Sequence, residues 1–381
     1  MSRKLALYFD GTWNTPGDRT NVRRLYDLTS SHAAHIQQAS RKRPLVETPN
    51  KTADQIKYYH PGVGTTWGSR ILGGMFGHGI SQHIRDGLLW LACNYSPGDQ
   101  IFILGFSRGA YTARSLVGLI RKCGIPVGHD YESAVTQGLV DTAYKIYRDR
   151  QWGVDELPGN SFKATYSYPD TPVHFLGVWD TVGALGLPIH EVWFGSDYYR
   201  FHDTGLSKIV SNAFHAVAID EHRPDFLATM WDGNKPVAPH QKVEQRWFPG
   251  AHADVGGGYK DGKLWQITAH WMQQKAISCG LTFTEVVTVD PDAHLSRMHD
   301  SLHDFAWGLY AKLPWIYGHY RPRRMGVNEE VDDSAIRRRA EKGSDASGQC
   351  YNPPSLRDLL ATLPQPTARS VTPTQSPHTA T

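Results

Sequence analysis

Ile101-Phe102-Ile103-Leu104-Gly105-Phe106-Ser107-Arg108-Gly109-Ala110 is the stretch on which the reading of this chain turns. Ile101 to Leu104 are apolar and mostly β-branched or aromatic, which predicts a short buried strand. Gly105, Ser107 and Gly109 then fill a Gly-x-Ser-x-Gly pattern. Beyond it, Ala113, Leu116, Val117 and Ile120 recur at the spacing of one helix face. A serine held between strand and helix is a nucleophile elbow. The turn is too sharp for bulky neighbours, and it stands the Ser107 hydroxyl clear of the sheet edge. The Arg108 amide then faces a developing oxyanion at the positive end of a helix. Gly is abundant (36 of 381 residues), so the pattern alone could arise by chance; its strand and helix context is what gives it weight.

Working outward, two more strand ends carry polar groups suited to the same chemistry. Val173 to Trp179 predicts a strand that ends in Asp180, and Val243 to Phe248 predicts one that runs into Pro249-Gly250-Ala251-His252-Ala253-Asp254. A serine hydroxyl is a weak nucleophile until an imidazole takes its proton, and a carboxylate must orient that imidazole. Ser107, Asp180 and His252 occur in the order Ser, Asp, His, the chain order of α/β hydrolases. Asp254 competes with Asp180 for the role of acid. The chain has 19 His, so His252 is singled out by its strand-end setting beside a run of glycines and not by its residue type.

Lys4 to Phe9 predicts a first strand, ending in Asp10-Gly11-Thr12. In an open α/β sheet such an end contacts ligands, and an amide of Gly11 or Thr12 would serve with Arg108 as the oxyanion site. The alternative is a plain turn closed by an Asx hydrogen bond from Asp10. Thr20 or Asn21 is placed to cap a following helix. Ile56 to Tyr59 predicts a second strand, and Ile80 to Asn94 a helix. Gly68 to Gly79 is glycine-rich but lacks the ending of a phosphate loop. Ser207 to Ala218 is read as helical, closed by Asp220-Glu221-His222-Arg223-Pro224. Trp265 to Ser278 predicts a further helix.

The chain is therefore read as an α/β-hydrolase-like three-layer sandwich with a mostly parallel sheet. The domain is assigned to residues 1–331, with cap insertions near 125–170 and 184–205. Residues 332–381 are assigned to a polar, largely disordered tail. The net charge of +3 is too small to argue for nucleic acid. Four scattered cysteines without a Cys-x-x-Cys pair read as free thiols of a reducing compartment. No signal peptide or membrane-length apolar run is visible, so synthesis is expected in the cytoplasm, with export by a signal-independent route left open. Trp307 to Tyr317 could touch a lipid surface or form a buried helix edge. A rival chemistry is metal-assisted hydrolysis through Asp10, Asp180, His252 and Asp254. A third reading is a binding protein that keeps the fold without catalysis. No cofactor is expected for the serine route.

Phe9 to Asn14, Thr20-Asn21-Val22, Tyr59 to Gly64, Gly105 to Ala110, Gly177 to Gly183 and Gly250-x-His252-x-Asp254-Val255-Gly256-Gly257-Gly258 form an ordered set over roughly residues 4 to 325. The set resembles the α/β-hydrolase domain family that includes the first group of type VI secretion lipase effectors. The resemblance implies a Ser-Asp-His hydrolase with phospholipase A activity among characterised effectors. It implies Ser107 as nucleophile, Asp180 as acid, His252 as base and the Asp10-Gly11-Thr12 block as the second oxyanion site. An ester or lipid substrate and an immunity or carrier protein follow from the same resemblance. The effectors are longer and carry membrane-docking regions that this chain lacks, so the chemistry transfers better than the lipid substrate.

Overall fold

The structure is a computed structural model that describes residues 2–11, 14, 16–31, 54–62, 74–128, 130–149, 151, 156–182, 205–223, 226–232, 237–304, 323, 325 and 329–362. Thr12, the Trp307 to Tyr317 segment, nearly all of 184–205 and residues 363–381 lie outside this set. Seven parallel strands form one sheet: β1 (Lys4–Phe9), β2 (Gln55–His60), β3 (Gln100–Phe106), β4 (Val173–Trp179), β5 (Val210–Ala218), β6 (Lys242–Phe248) and β7 (Glu330–Val331). Their spatial order is β2-β1-β3-β4-β5-β6-β7. The order reverses direction between β1 and β3, the switch point at which open α/β sheets leave a crevice for ligands.

Alternation along β1 divides the core. Leu5, Leu7 and Phe9 enter one apolar layer, and Ala6 and Tyr8 enter the other, as period-two side-chain geometry requires. The first layer packs against α2 (Gly74–Asn94), α3 (Arg108–Cys123), α4 (Ala134–Arg148) and α5 (Gly159–Tyr166). The second packs against α1 (Asn21–Leu28) and, beyond the short α6 (His252–Gly256), against α7 (Leu264–Ser278). Thr20 caps α1 by accepting from the Arg23 amide at 3.1 Å. Asn21 ties α1 to the opposite end of the chain, donating to Val255 O at 2.9 Å and to Thr268 Oγ1 at 2.9 Å.

Three expectations change on folding. The segment 207–218 is strand β5 from Val210 onward, not a helix. Ile209, Val210, Ala213, Phe214, Ala216, Val217 and Ala218 form a nearly continuous apolar run because a central parallel strand is buried on both faces, and such a run has no diagnostic period. The described part of the insertion at 125–170 packs on the helical layer and not over the strand ends. Val140, Ala143 and Phe162 join the apolar layer beneath α2 and α3. The first residue of α5 lies against Lys122, in the last turn of α3 and far from Ser107 at its start. Residues 332–362, assigned from composition to the tail, carry α9 (Asp333–Ala340) and α10 (Pro354–Thr362) after a four-residue turn of helix, α8 (Ser301–Asp304). Tyr351 and Leu356 are buried with Trp247, Val217 and Ile219. The fully buried Arg338 donates to the carbonyls of His294 at 2.5 Å, Ser296 at 2.8 Å and Ser344 at 3.0 Å. A charged composition conceals this anchoring, because the partners are distant backbone atoms. Among the described residues no helix is long and apolar enough to cross a membrane.

Candidate active site

Ser107 stands between β3 and α3 with φ 58° and ψ −123°. A non-glycine residue in this region is strained, and the cost is sustained by the packing around it. The flanking glycines permit the turn. A Cβ on Gly109 would lie 2.1 Å from the Phe9 carbonyl oxygen, and one on Gly105 would lie 2.5 Å from the Gly109 oxygen. No side chain fits at either position without moving backbone. Arg108 is the first residue of α3, which puts its amide at the positive pole of the helix.

Parallel pairing sets Asp180 beside Ser107. Phe106 is in register with Trp179, and the Ser107 amide donates to Trp179 O at 3.0 Å. Asp180 therefore leaves the adjacent strand at the same height. It is buried, with φ 39°, and its Oδ2 lies 2.5 Å from His252 Nδ1. His252 opens α6 after β6. Its ring lies between Phe106, with centroids 4.6 Å apart, and Phe226, at 5.1 Å. Burial among these rings disfavours the imidazolium and lowers its pKa below the ordinary value, although the Asp180 carboxylate pulls the other way. With Nδ1 committed to Asp180, Nε2 is the atom left to handle a proton.

Asp254 does not face His252. Its Oδ1 lies 2.7 Å from His299 Nδ1, and its Oδ2 accepts from the amides of Ala251 at 3.1 Å and His299 at 3.0 Å. It braces the backbone of the His252 loop. Asp10 is buried, and its carboxylate accepts from Gly11 N at 2.7 Å, Thr20 Oγ1 at 2.7 Å and Tyr59 OH at 2.8 Å. Burial pushes it up to about 6, against the three hydrogen bonds that favour the anion. The Gly11 bond comes from the adjacent residue and is not the Asx turn considered as an alternative, whose donor would be the amide of residue 12, outside the described residues; it commits the Gly11 amide to Asp10. The same stretch brings Gly11 close to the elbow: a Cβ there would lie 3.3 Å from Ser107 Cβ. Among the described residues, no three His, Cys, Asp or Glu side chains are grouped to hold a metal ion. Asp10, Asp180 and Asp254 each serve a different set of donors.

Several contributors escaped the sequence reading. Arg323 grips Asp180 through both Nη atoms, at 2.5 Å to Oδ1 and 3.0 Å to Oδ2. Glu221 pairs with Arg223 at 2.9 Å and accepts the His252 amide at 3.3 Å. Burial would raise Glu221, but the Arg223 guanidinium outweighs it and lowers the carboxyl to about 2. The signal for Glu221 was present: four ionisable residues follow directly on the apolar run ending at Ile219. Arg323 has no such signal, because it meets Asp180 from 143 residues away.

Comparison with known proteins gives the family. Residues 3–275 match the catalytic domain of the Tle1-like phospholipase effectors of the type VI secretion system. An uncharacterized protein of Saccharomyces cerevisiae, YEL023C, is 28% identical over 251 residues, which cover 59% of this chain and 32% of that protein. The chain thus spans about a third of the length of this relative. Among solved structures, an uncharacterized protein from Pseudomonas aeruginosa is 19% identical, with TM-score 0.44, over 77% of this chain and 48% of the other. The Tle1 effector bound to the VgrG spike is 20% identical, with TM-score 0.36, over 68% of this chain and 52% of that one. With most of its length, elbow and strand ends included, inside the matched domain, the chain belongs to the Tle1-like phospholipase effector family of the type VI secretion system.

Proposed function

We propose that the chain is a serine ester hydrolase that cleaves phospholipid acyl esters through an acyl-enzyme. The observation that carries this reading is the strained Ser107 beside a strand end where His252 Nδ1 lies 2.5 Å from the buried Asp180 carboxylate. Ser107 Oγ attacks the ester carbonyl carbon while His252 Nε2 takes the hydroxyl proton. The Arg108 amide holds the oxyanion, with the second donor from the Thr12 amide, since Gly11 gives its own to Asp10. The alcohol leaves with the proton from His252. A water molecule, deprotonated by the same imidazole, then cleaves the acyl-serine ester and restores Ser107. Asp180 holds the imidazole and offsets its positive charge while it carries the proton.

The lipid class follows from the family, as do export by a signal-independent route and a carrier protein. The test is fatty-acid release from phosphatidylethanolamine and phosphatidylglycerol vesicles, with wild type beside Ser107→Ala. Release is expected from wild type alone, with a loss of roughly 10³-fold or more in the variant. Equal release by both proteins would overturn the serine mechanism. Release lost on chelation and restored by a divalent ion, with Ser107 dispensable, would select metal-assisted hydrolysis instead. Absence of hydrolysis and of fluorophosphonate labelling in folded protein would select a binding role.

A further inference from the structure

We infer that Arg323 is a positioning residue of the active site, a guanidinium clamp that fixes the Asp180 carboxylate and tempers its hold on His252. The inference rests on the Ser107-Asp180-His252 reading above. It adds a fourth member, from beyond residue 275, where the family match ends.

The geometry is that of a buried fork on a fork. Arg323 Nη1 donates to Asp180 Oδ1 at 2.5 Å and to Ala218 O at 2.9 Å. Arg323 Nη2 donates to Asp180 Oδ2 at 3.0 Å and to the Phe226 carbonyl. Both residues are buried, Asp180 fully. Asp180 Oδ1 also accepts from Ala218 N at 3.0 Å, so each carboxylate oxygen is held by more than one donor. A bidentate guanidinium fixes the carboxylate plane as a point charge cannot. That plane decides where the lone pair meeting His252 Nδ1 is aimed. Through the Phe226 carbonyl the same guanidinium tethers the residue whose ring packs on the His252 imidazole.

The clamp also changes the electrostatics. An unpaired buried carboxylate would strongly favour a protonated His252, and a base already protonated cannot accept from Ser107. Arg323 shares the negative charge of Asp180 and weakens that pull. Burial would raise Asp180, but Arg323 and then His252 hold it well below the ordinary carboxylate range, so it stays ionised. The other charged groups on this side are accounted for. Glu221 is paired with Arg223, and both bear on His252 with opposite signs. His215, behind Asp180, is lowered to about 3 by burial and is neutral. His222 is lowered as well, mainly by burial.

Two variants separate charge from scaffold. Arg323→Gln keeps hydrogen-bond donors near Asp180 but removes the charge, whereas Arg323→Lys keeps the charge but loses the fork. The readout is the pH dependence of Ser107 labelling by a fluorophosphonate, with thermal melting as the folding control and Ser107→Ala as the labelling control. The acid limb is expected to move upward by roughly half to one pH unit in Arg323→Gln. It is expected to stay near the wild-type position in Arg323→Lys, which labels more slowly at every pH. Limbs that coincide in wild type and both folded variants would overturn the proposal, even if rates fall, because a merely structural staple would behave so. Should neither variant fold, the wild-type limb still tests the proposal: a midpoint below about 6.5 is expected from burial and clamp together, and one at or above it overturns the proposal. Wild type that is not labelled at Ser107 would instead reject the underlying triad, a result distinct from a failure of the clamp.

Discussion

Two buried Asp–His pairs, only two residues apart in part of the chain, look alike and do opposite things. Asp180 meets His252 Nδ1 at 2.5 Å, and Asp254 meets His299 Nδ1 at 2.7 Å. The difference lies at the far ends. His299 Nε2 is held by Asp261 at 3.1 Å, so the ring has a carboxylate on each nitrogen. Burial works against its charge, yet the two carboxylates prevail and its pKa rises above the ordinary value. Tyr259 stacks on it at 3.7 Å. His252 has one carboxylate, shared with a guanidinium, and aromatic rings on its faces, and its pKa falls. A ring whose charged form two carboxylates favour suits a fastener, and a ring whose charged form is disfavoured suits the base proposed for His252. The Asp–His bond alone therefore does not identify a catalytic pair; what surrounds the pair does.

The sharpest way to break the comparison is to disable the two pairs separately. Asp180→Asn should lower kcat/KM by about 10⁴-fold, because the amide stabilises the wrong tautomer and no imidazolium charge. His299→Gln should leave kcat/KM within about tenfold and lower stability by roughly 1–3 kcal/mol, the cost of the buried Asp254 carboxylate losing its donor. Vesicle assays and denaturant unfolding measure the two effects. Equal catalytic losses would erase the distinction. Next in size is the oxyanion turn, where Asp10→Ala should cost roughly 10–10²-fold in kcat with little change in KM. A loss confined to KM would remove Asp10 from the support of the transition state.

The pH dependence sharpens the comparison further. His252 must be neutral to accept a proton, and its lowered pKa places the acid limb of kcat/KM below the ordinary histidine range of about 6.5. His299 has the opposite sign. Its folded pKa is raised, so the stability it confers is complete below about pH 6.5 and is lost as pH rises through the folded value. The gap in melting temperature between wild type and His299→Gln should therefore shrink on the alkaline side, and a constant gap would argue against a charged His299. The smallest effect belongs to Tyr351→Phe. Tyr351 donates to Asp220 at 3.0 Å, and Asp220 holds the Gly250 amide at 2.8 Å. Loss of this hydroxyl should cost about 1 kcal/mol of stability and leave the rate unchanged.

Much of this was legible along the chain, and its limits are instructive. β3, the elbow and α3 could be read because an apolar run, a glycine turn and a helical period follow one another without interruption. β5 could not, because burial on both faces erases alternation and its alanines and histidine are poor strand indicators. The packing of residues 332–362 on the sheet could not be read either. Arg338, Tyr351 and Leu356 sit in a charged, polar stretch whose order depends on acceptors and apolar surfaces supplied by β5, β6 and the segment before α8. Asp10 stands out in the sequence, but of its three donors Tyr59 becomes a neighbour only once β1 and β2 pair.

The sequence by itself determined the elbow, the order Ser107, Asp180, His252 along the chain, and the family to which the residues belong. These are local features: a turn needs its own glycines, and a strand end needs its own polar residue. Tertiary structure alone decided which Asp faces which His, that Asp10 meets Thr20 and Tyr59, and that Arg323 closes on Asp180. Those choices depend on contacts across tens to hundreds of residues, where the direction of one carboxylate is set by sheet register and packing, and no spacing along the chain encodes it.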